Sequence, residues 1–239
     1  MGTILSYIYE DWQGYLAGIL PEATIATQDE PPETLPSLAV IQLVGDTLDD
    51  FSSRRLQLAK HFIKRKCAVA ILHAEEKHLD FLKPLAPIAA RNKTPLILLN
   101  SFRFIPAVAA LKEIAVSGVL GSNLNAAYSL NYKGDELDSL RIIDAAKWIA
   151  GNAEHSNDKS DFDAAITVSG ELGTAMASFS IDGQNAKLNV TTQYHKRHRV
   201  LPKADPLVSE MAVLAACVAN ETKKIKSLPL LMDITNSVF

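Results

Sequence analysis

The chain has 239 residues and a mass of 26.0 kDa, with 48% apolar and 21% charged residues, a balance that excludes a globally disordered polymer and allows one large domain or two small ones. Its formal net charge of −3 offers no electrostatic footprint for nucleic acid or an anionic membrane, and no run approaches the ~18 consecutive apolar residues of a membrane span. With no signal-peptide pattern, and with Cys67 and Cys217 far apart in apolar surroundings, the expectation is a cytoplasmic protein with two free, buried thiols.

Up to residue 100 the pattern alternates. Short apolar runs rich in β-branched residues at 3–9, 23–27, 38–44, 68–72 and 95–99 predict strands, and their near-continuous apolar character suits a parallel sheet buried on both faces. Helical patterns separate them at 12–19, 52–65 and 79–91; in the last, Leu79, Leu82, Ala86 and Ala89 or Ala90 recur at helical spacing. Segment 28–37 holds three prolines and no helical period, so a loop is expected where a doubly wound domain normally has a helix. Further on, helices are predicted at 107–117 and 137–150, then strands with period two at 164–169, 174–181 and 186–192. Gly170–Gly173 and Asp182-Gly183 join these strands as hairpin turns, and a last helix spans about residues 206–221. The stretch 152–160 reads as a polar loop. The basic cluster His195-Lys196-Arg197-His198-Arg199 reads as a solvated loop or charged sheet edge, with an anion site or acidic partner surface as the alternative.

Residues 95–100 feed an Arg103-Phe104-Ile105-Pro106 corner, a helix, and a Gly118-Val119-Leu120-Gly121 exit; further on, Asp144, Trp148 and Gly151 mark the helix at 137–150. This order resembles the junction and second domain of the Gfo/Idh/MocA family, the glucose–fructose oxidoreductase and inositol dehydrogenase relatives, as a shortened and degenerate member. The resemblance implies a trimmed Rossmann-like parallel-sheet domain over 1–104, followed by an α+β domain over 105–239 with an open, mainly antiparallel sheet. It also implies NAD(P)-dependent sugar oxidoreduction, and a homodimer joined through that sheet. Ala175, Ala177 and Phe179 would line one side of the sheet, and Met176, Ser178 and Ser180 the other.

The residues in the family's working positions are altered. A dinucleotide fingerprint needs glycines for a tight turn, for backbone approach to the pyrophosphate, and for close helix–strand packing. In that register stand Tyr9, Asp11 and Gly14, and only Gly14 matches. Asp11 would set a carboxylate against phosphate, and helix capping accounts for it without a cofactor. Asp29 lies where a ribose-binding acid would be. The family's strand-end Glu-Lys-Pro falls on Leu72-His73-Ala74, with His73 in the lysine slot; Glu76-Lys77-His78 resembles a slipped copy, in which Lys77 is either catalytic or a solvated helix-start charge. The acid/base histidine slot holds Arg141, four residues after Leu137 and three before Asp144; arginine stays protonated and cannot act as general base.

The leading expectation is therefore a catalytically inactive homologue with no cofactor, acting by binding or oligomerisation with itself or an active paralogue. One rival is a divergent NAD(P)-dependent oxidoreductase using Lys77 or His73. Another is a sensor that holds a small anion with Arg103 and Arg141 in a cleft between the domains. The six histidines show no ligand spacing for a metal, and no Gly-x-Ser-x-Gly is present.

Overall fold

The computed structural model describes residues 3–8, 10–21, 23–26, 29–43, 50–72, 74–99, 101–131, 136–157 and 161–219. The described residues form two compact units, one of those before residue 100 together with Val208–Ala219, the other of those from Ser101 to Leu207.

The first unit holds a five-stranded parallel sheet in the order β2-β1-β3-β4-β5, with β1 Ile4–Tyr7, β2 Ala23–Ile25, β3 Leu38–Gln42, β4 Ala68–Leu72 and β5 Leu96–Leu98. β3 and β4 are buried along their whole length, which is why they read as unbroken apolar runs. Helix α1 (Glu10–Ile19) follows β1, and α2 (Asp50–Lys64) packs on β3 and β4 through Leu58, Ala59, Phe62 and Ile63. The described part of the β2–β3 crossover, 29–37, holds no helix. Where one helix is predicted at 79–91 there are two, α3 Leu79–Leu82 and α4 Leu85–Asn92. Pro84 sits between them; it has no N–H to continue the ladder, and its ring excludes an uninterrupted helix. Helix α7 (Pro206–Ala219) carries buried Met211, Leu214 and Cys217.

The second unit is a six-stranded mixed sheet in the order β11-β10-β9-β8-β6-β7, covered on one face by α5 (Pro106–Val116) and α6 (Glu136–Ala150). Its strands are β6 Asn125–Leu130, β7 Glu154–His155, β8 Ala164–Gly170, β9 Gly173–Phe179, β10 Ala186–Thr192 and β11 Lys196–Val200. All neighbours are antiparallel except β6 and β7. Alternation along β8, β9 and β10 sends Ile166, Val168, Ala175, Ala177, Phe179 and Leu188 to the helices, where they meet Val108, Leu111, Ile142 and Ile149. Phe179 packs edge-on against Phe102 with ring centroids 5.6 Å apart. The β8–β9 hairpin is pinned at both ends by glycine: a Cβ on Gly170 would lie 2.2 Å from the Leu120 carbonyl oxygen, and one on Gly173 2.3 Å from that of Thr191.

Three strands lie outside those predicted. β7 falls inside the expected polar loop; both its residues are exposed, and it is held by backbone pairing with β6 together with the Ser156 N–H donating to the Tyr128 carbonyl at 2.7 Å. β11 turns the basic cluster into an exposed edge strand. β6 lacks the β-branched richness that marks β8 beside it.

Phe179→Ala is expected to destabilise by about 3–5 kcal/mol, the usual toll of emptying a buried aromatic site. Thr174→Ala, exposed on the same strand, is expected to change stability by about 0.5 kcal/mol or less. Urea denaturation followed by far-UV circular dichroism checks both.

Candidate functional site

At the strand ends of the first sheet, β1 runs almost directly into α1, and Gly14 lies inside that helix. A Cβ at Gly14 would meet nothing within 4 Å, so this glycine serves neither a tight turn nor a close helix–strand approach. Glu10 and Asp11 occupy the first turn of α1, at the positive end of the helix dipole. Tyr9 lies outside the described residues. Asp29 pairs with Arg55 at 3.3 Å, and Arg55, 3% exposed, also donates to the Gln42 carbonyl at 2.7 Å. The Tyr7 hydroxyl donates to the Glu30 carbonyl at 2.8 Å. Burial, with smaller contributions from Asp29 and Cys67, pushes the Tyr7 pKa up to about 12. The crossover is thus tied to both β1 and α2. Asp29 Oδ2 is buried with no hydrogen-bond partner among the described residues, and Asp29 lines a cavity of about 300 Å³ with Arg54, Gln57 and His61.

His73 lies outside the described residues. Lys77 is on a one-turn 3-10 helix, Glu76–His78, that leads into α3, and its ammonium pairs with Glu75 at 2.9 Å while remaining partly exposed. The next residue is the less expected one. His78 is 1% exposed, and its Nδ1 accepts the Glu75 N–H at 3.0 Å, which places the ring proton on Nε2. Burial lowers its pKa; Glu75 opposes this shift and Lys77 adds to it. Its signal in the sequence, a histidine between a lysine and an apolar helix, is indistinguishable from a surface residue.

In the second unit the strongest polar feature joins the corner to α6. Arg103 lies in the 3-10 turn Phe102–Phe104, whose N-cap Ser101 accepts the Arg103 N–H at 3.2 Å. Its Nε donates to Asp144 Oδ2 at 2.8 Å and its Nη2 to Oδ1 at 2.6 Å, with side-chain exposures of 14% and 5%. The guanidinium carbon is 5.4 Å from the centroid of the Trp148 ring, and the Lys112 ammonium is at 5.4 Å from the same ring. Lys112 donates to the Trp148 carbonyl at 2.7 Å, satisfying the C-terminal end of α6, and burial followed by the Arg103 charge lowers its pKa. Gly151 ends the helix in the left-handed region at φ 82°. Arg141 is buried and pairs with Asp138 at 3.1 Å, and Leu137 is fully buried. Asp144 and Trp148 are four residues apart and share a helix face; Arg103, 41 residues before Asp144, gives no local sign of its partner.

On the side of the second sheet away from the helices stand Thr167, Met176, Ser178, Lys187 and Asn189, while Ala175, Ala177 and Phe179 face the core. Among the described residues no group of three or more His, Cys, Asp or Glu side chains is placed to hold a metal ion. No described helix is long and apolar enough to cross a membrane.

No family model and no curated protein matches this chain. Solved structures do. An oxidoreductase from Agrobacterium radiobacter, in complex with NAD⁺, L-tartaric acid and magnesium, aligns at TM-score 0.58 and 11% identity over 99% of this chain and 84% of its own. The transcriptional regulator Gal80p from Kluyveromyces lactis aligns at 0.60 and 10% identity over 99% and 81%, and a super-repressor mutant of Gal80p from Saccharomyces cerevisiae at 0.61 and 11% over 98% and 85%. The fold is therefore one shared with these oxidoreductase and Gal80p structures.

The His78 geometry predicts a pH dependence. Its folded-state pKa lies below the unfolded value near 6.5, so its full contribution to stability is present above that value and is lost as pH falls through the folded pKa. Urea unfolding of the wild type between pH 7.5 and 5 is expected to show this loss. His78→Asn, which keeps an acceptor near the Nδ1 position but does not titrate, is expected to show a shallower one.

Proposed function

We propose that this protein acts by binding rather than by hydride transfer. The observation that carries the reading is that Asp144 gives both carboxylate oxygens to Arg103. Arg141, in the slot where the resemblance expects an acid/base histidine, is itself a buried arginine beside Asp138. A general base must hold and release a proton at the working pH, and a guanidinium does neither. At the nucleotide end, acids occupy the first turn of α1 and Gly14 makes no close approach, which argues against a pyrophosphate cradle. A fold shared with a transcriptional regulator as well as with oxidoreductases is compatible with a binding role.

Association with a second copy or with an active paralogue through the second sheet belongs to this reading. Two buried free thiols, one of them Cys67 with its pKa pushed up to about 12 by burial, suit a reducing compartment such as the cytoplasm.

One observation favours a second reading, a divergent NAD(P)-dependent oxidoreductase acting on a sugar or related small molecule. Asp29 Oδ2 is buried without a partner among the described residues, at the end of the crossover where a ribose hydroxyl would be received.

Thermal unfolding with NAD⁺, NADH, NADP⁺ and NADPH, each at millimolar concentration, separates the two. A ligand present at ~100 times its Kd stabilises by about 2.7 kcal/mol. At ~2–4 °C per kcal/mol, that raises Tm by roughly 5–10 °C. The binding reading expects no such shift with any of the four. A shift of that size that disappears in Asp29→Ala would establish the oxidoreductase reading in its place.

A further inference from the structure

We propose that the outer face of the second sheet carries a binding site for a small hydroxylated oxyanion, held by Lys187, His198, Asn189 and the hydroxyls of Ser129, Thr167 and Ser178. The site shares no residue with the strand-end or α6 positions discussed above, so it stands or falls independently of whether a nicotinamide binds.

The register builds it. One row across the sheet runs Ser129, Ala165, Ser178 and Lys187; the next runs Ala127, Thr167, Met176, Asn189 and His198. Neighbours within such a row have Cβ atoms about 4.5–5.5 Å apart, close enough to act on one small molecule. On β6 and β8 these rows are made of alanine, serine and threonine, and on β10 and β11 of longer side chains, so the face is hollow on one side and walled on the other. Asp161 and Phe162 add to the rim. The result is a cavity of about 300 Å³ lined by these residues, at the lower end of the range for small-molecule sites.

The floor and the wall carry complementary chemistry. Ser129 and Ser178 lie on the face turned away from the helical core, yet they are only 4% and 3% exposed, because they sit at the bottom of the hollow. Neither hydroxyl is bonded to another described residue. The Lys187 ammonium stands 5.0 Å from the centroid of the Phe162 ring, which fixes a cation over the opening. His198 Nδ1 is hydrogen-bonded to Asn189 Oδ1, so the imidazole is held in orientation. Against one ammonium and one imidazole the lining sets a single carboxylate, Asp161. An oxyanion satisfies Lys187 and the serine and threonine hydroxyls, and a hydroxyl on the same molecule gives Asp161 a proton to accept. A purely apolar ligand would leave all of these groups unpaired, and a bare metal cation would face Lys187.

The test uses the full chain, ¹⁵N-labelled, titrated with D-gluconate as a hydroxylated carboxylate and with glycerol 3-phosphate as a hydroxylated phosphate. Sodium chloride at matched ionic strength and glycerol are the controls. The proposal expects saturable amide shifts centred on Ser178, Lys187, Asn189 and His198 with one or both anions, and with neither control. Which anion binds tighter identifies the headgroup. Lys187→Met is expected to weaken the apparent Kd at least about tenfold; Ser178→Val, which fills the floor with a strand-compatible side chain, is expected to do likewise. Non-saturating shifts with both anions, saturable shifts that map elsewhere, or equal affinity in folded Lys187→Met would overturn it. So would broadening of these same amides with protein concentration alone, which would identify a second copy of the chain as the occupant.

Discussion

Where the 3-10 turn at 102–104 meets α6, a guanidinium and a carboxylate have been removed from water together, and the second unit is organised around that meeting. Taking either charge out of solvent alone would be prohibitive; the two are tolerable because two guanidinium N–H groups meet both carboxylate oxygens in a bidentate pair. The pair fixes the corner, since Ser101 caps the turn and Pro106 opens α5 directly after it. It also fixes α6, because Trp148, one turn beyond Asp144, lies beside both Arg103 and Lys112, and Lys112 in α5 holds the helix end. Both helices that cover the sheet are therefore tied to one ion pair. Both oxygens of this carboxylate are engaged in the contact that holds the corner.

Much of the architecture was legible because it is written in local periodicity. β3 and β4 are continuous apolar runs that only a doubly covered parallel strand explains, and the alternation of β8, β9 and β10 assigns their core residues one by one. What escaped the sequence is what depends on distance or on the backbone. β7 has no apolar residue and exists through its pairing with β6; β11 is basic or imidazole-bearing at every position but Val200, as suits an exposed edge. Pro84 divides a helix whose apolar spacing runs on undisturbed.

The candidate sites were legible to a different degree. The residue types at Tyr9, Asp11 and Arg141 could be set beside those that the resemblance expects, from which they differ in charge and size, while Gly14 matches by type but stands inside α1. The use to which the remaining residues are put could not be read. Asp29 with Arg55 and Asp144 with Arg103 are pairings 26 and 41 residues apart, and His78 shows its burial only in three dimensions. The outer-face hollow is a product of register: serines and alanines that look unremarkable along each strand become one floor when four strands are aligned. A shared fold thus says little about shared chemistry, which has to be argued from the side chains at each position.

If Asp144 and Arg103 organise the second unit, a double-mutant cycle on that pair will show it. Arg103→Met, Asp144→Leu and the double variant would be compared with wild type by urea unfolding. Each single change is expected to cost about 3–5 kcal/mol, because it leaves a buried charge unpaired, and the double variant to recover a substantial part of the sum. Single changes that cost less than about 0.5 kcal/mol, or losses that add without coupling, would show that the pair does not organise this unit.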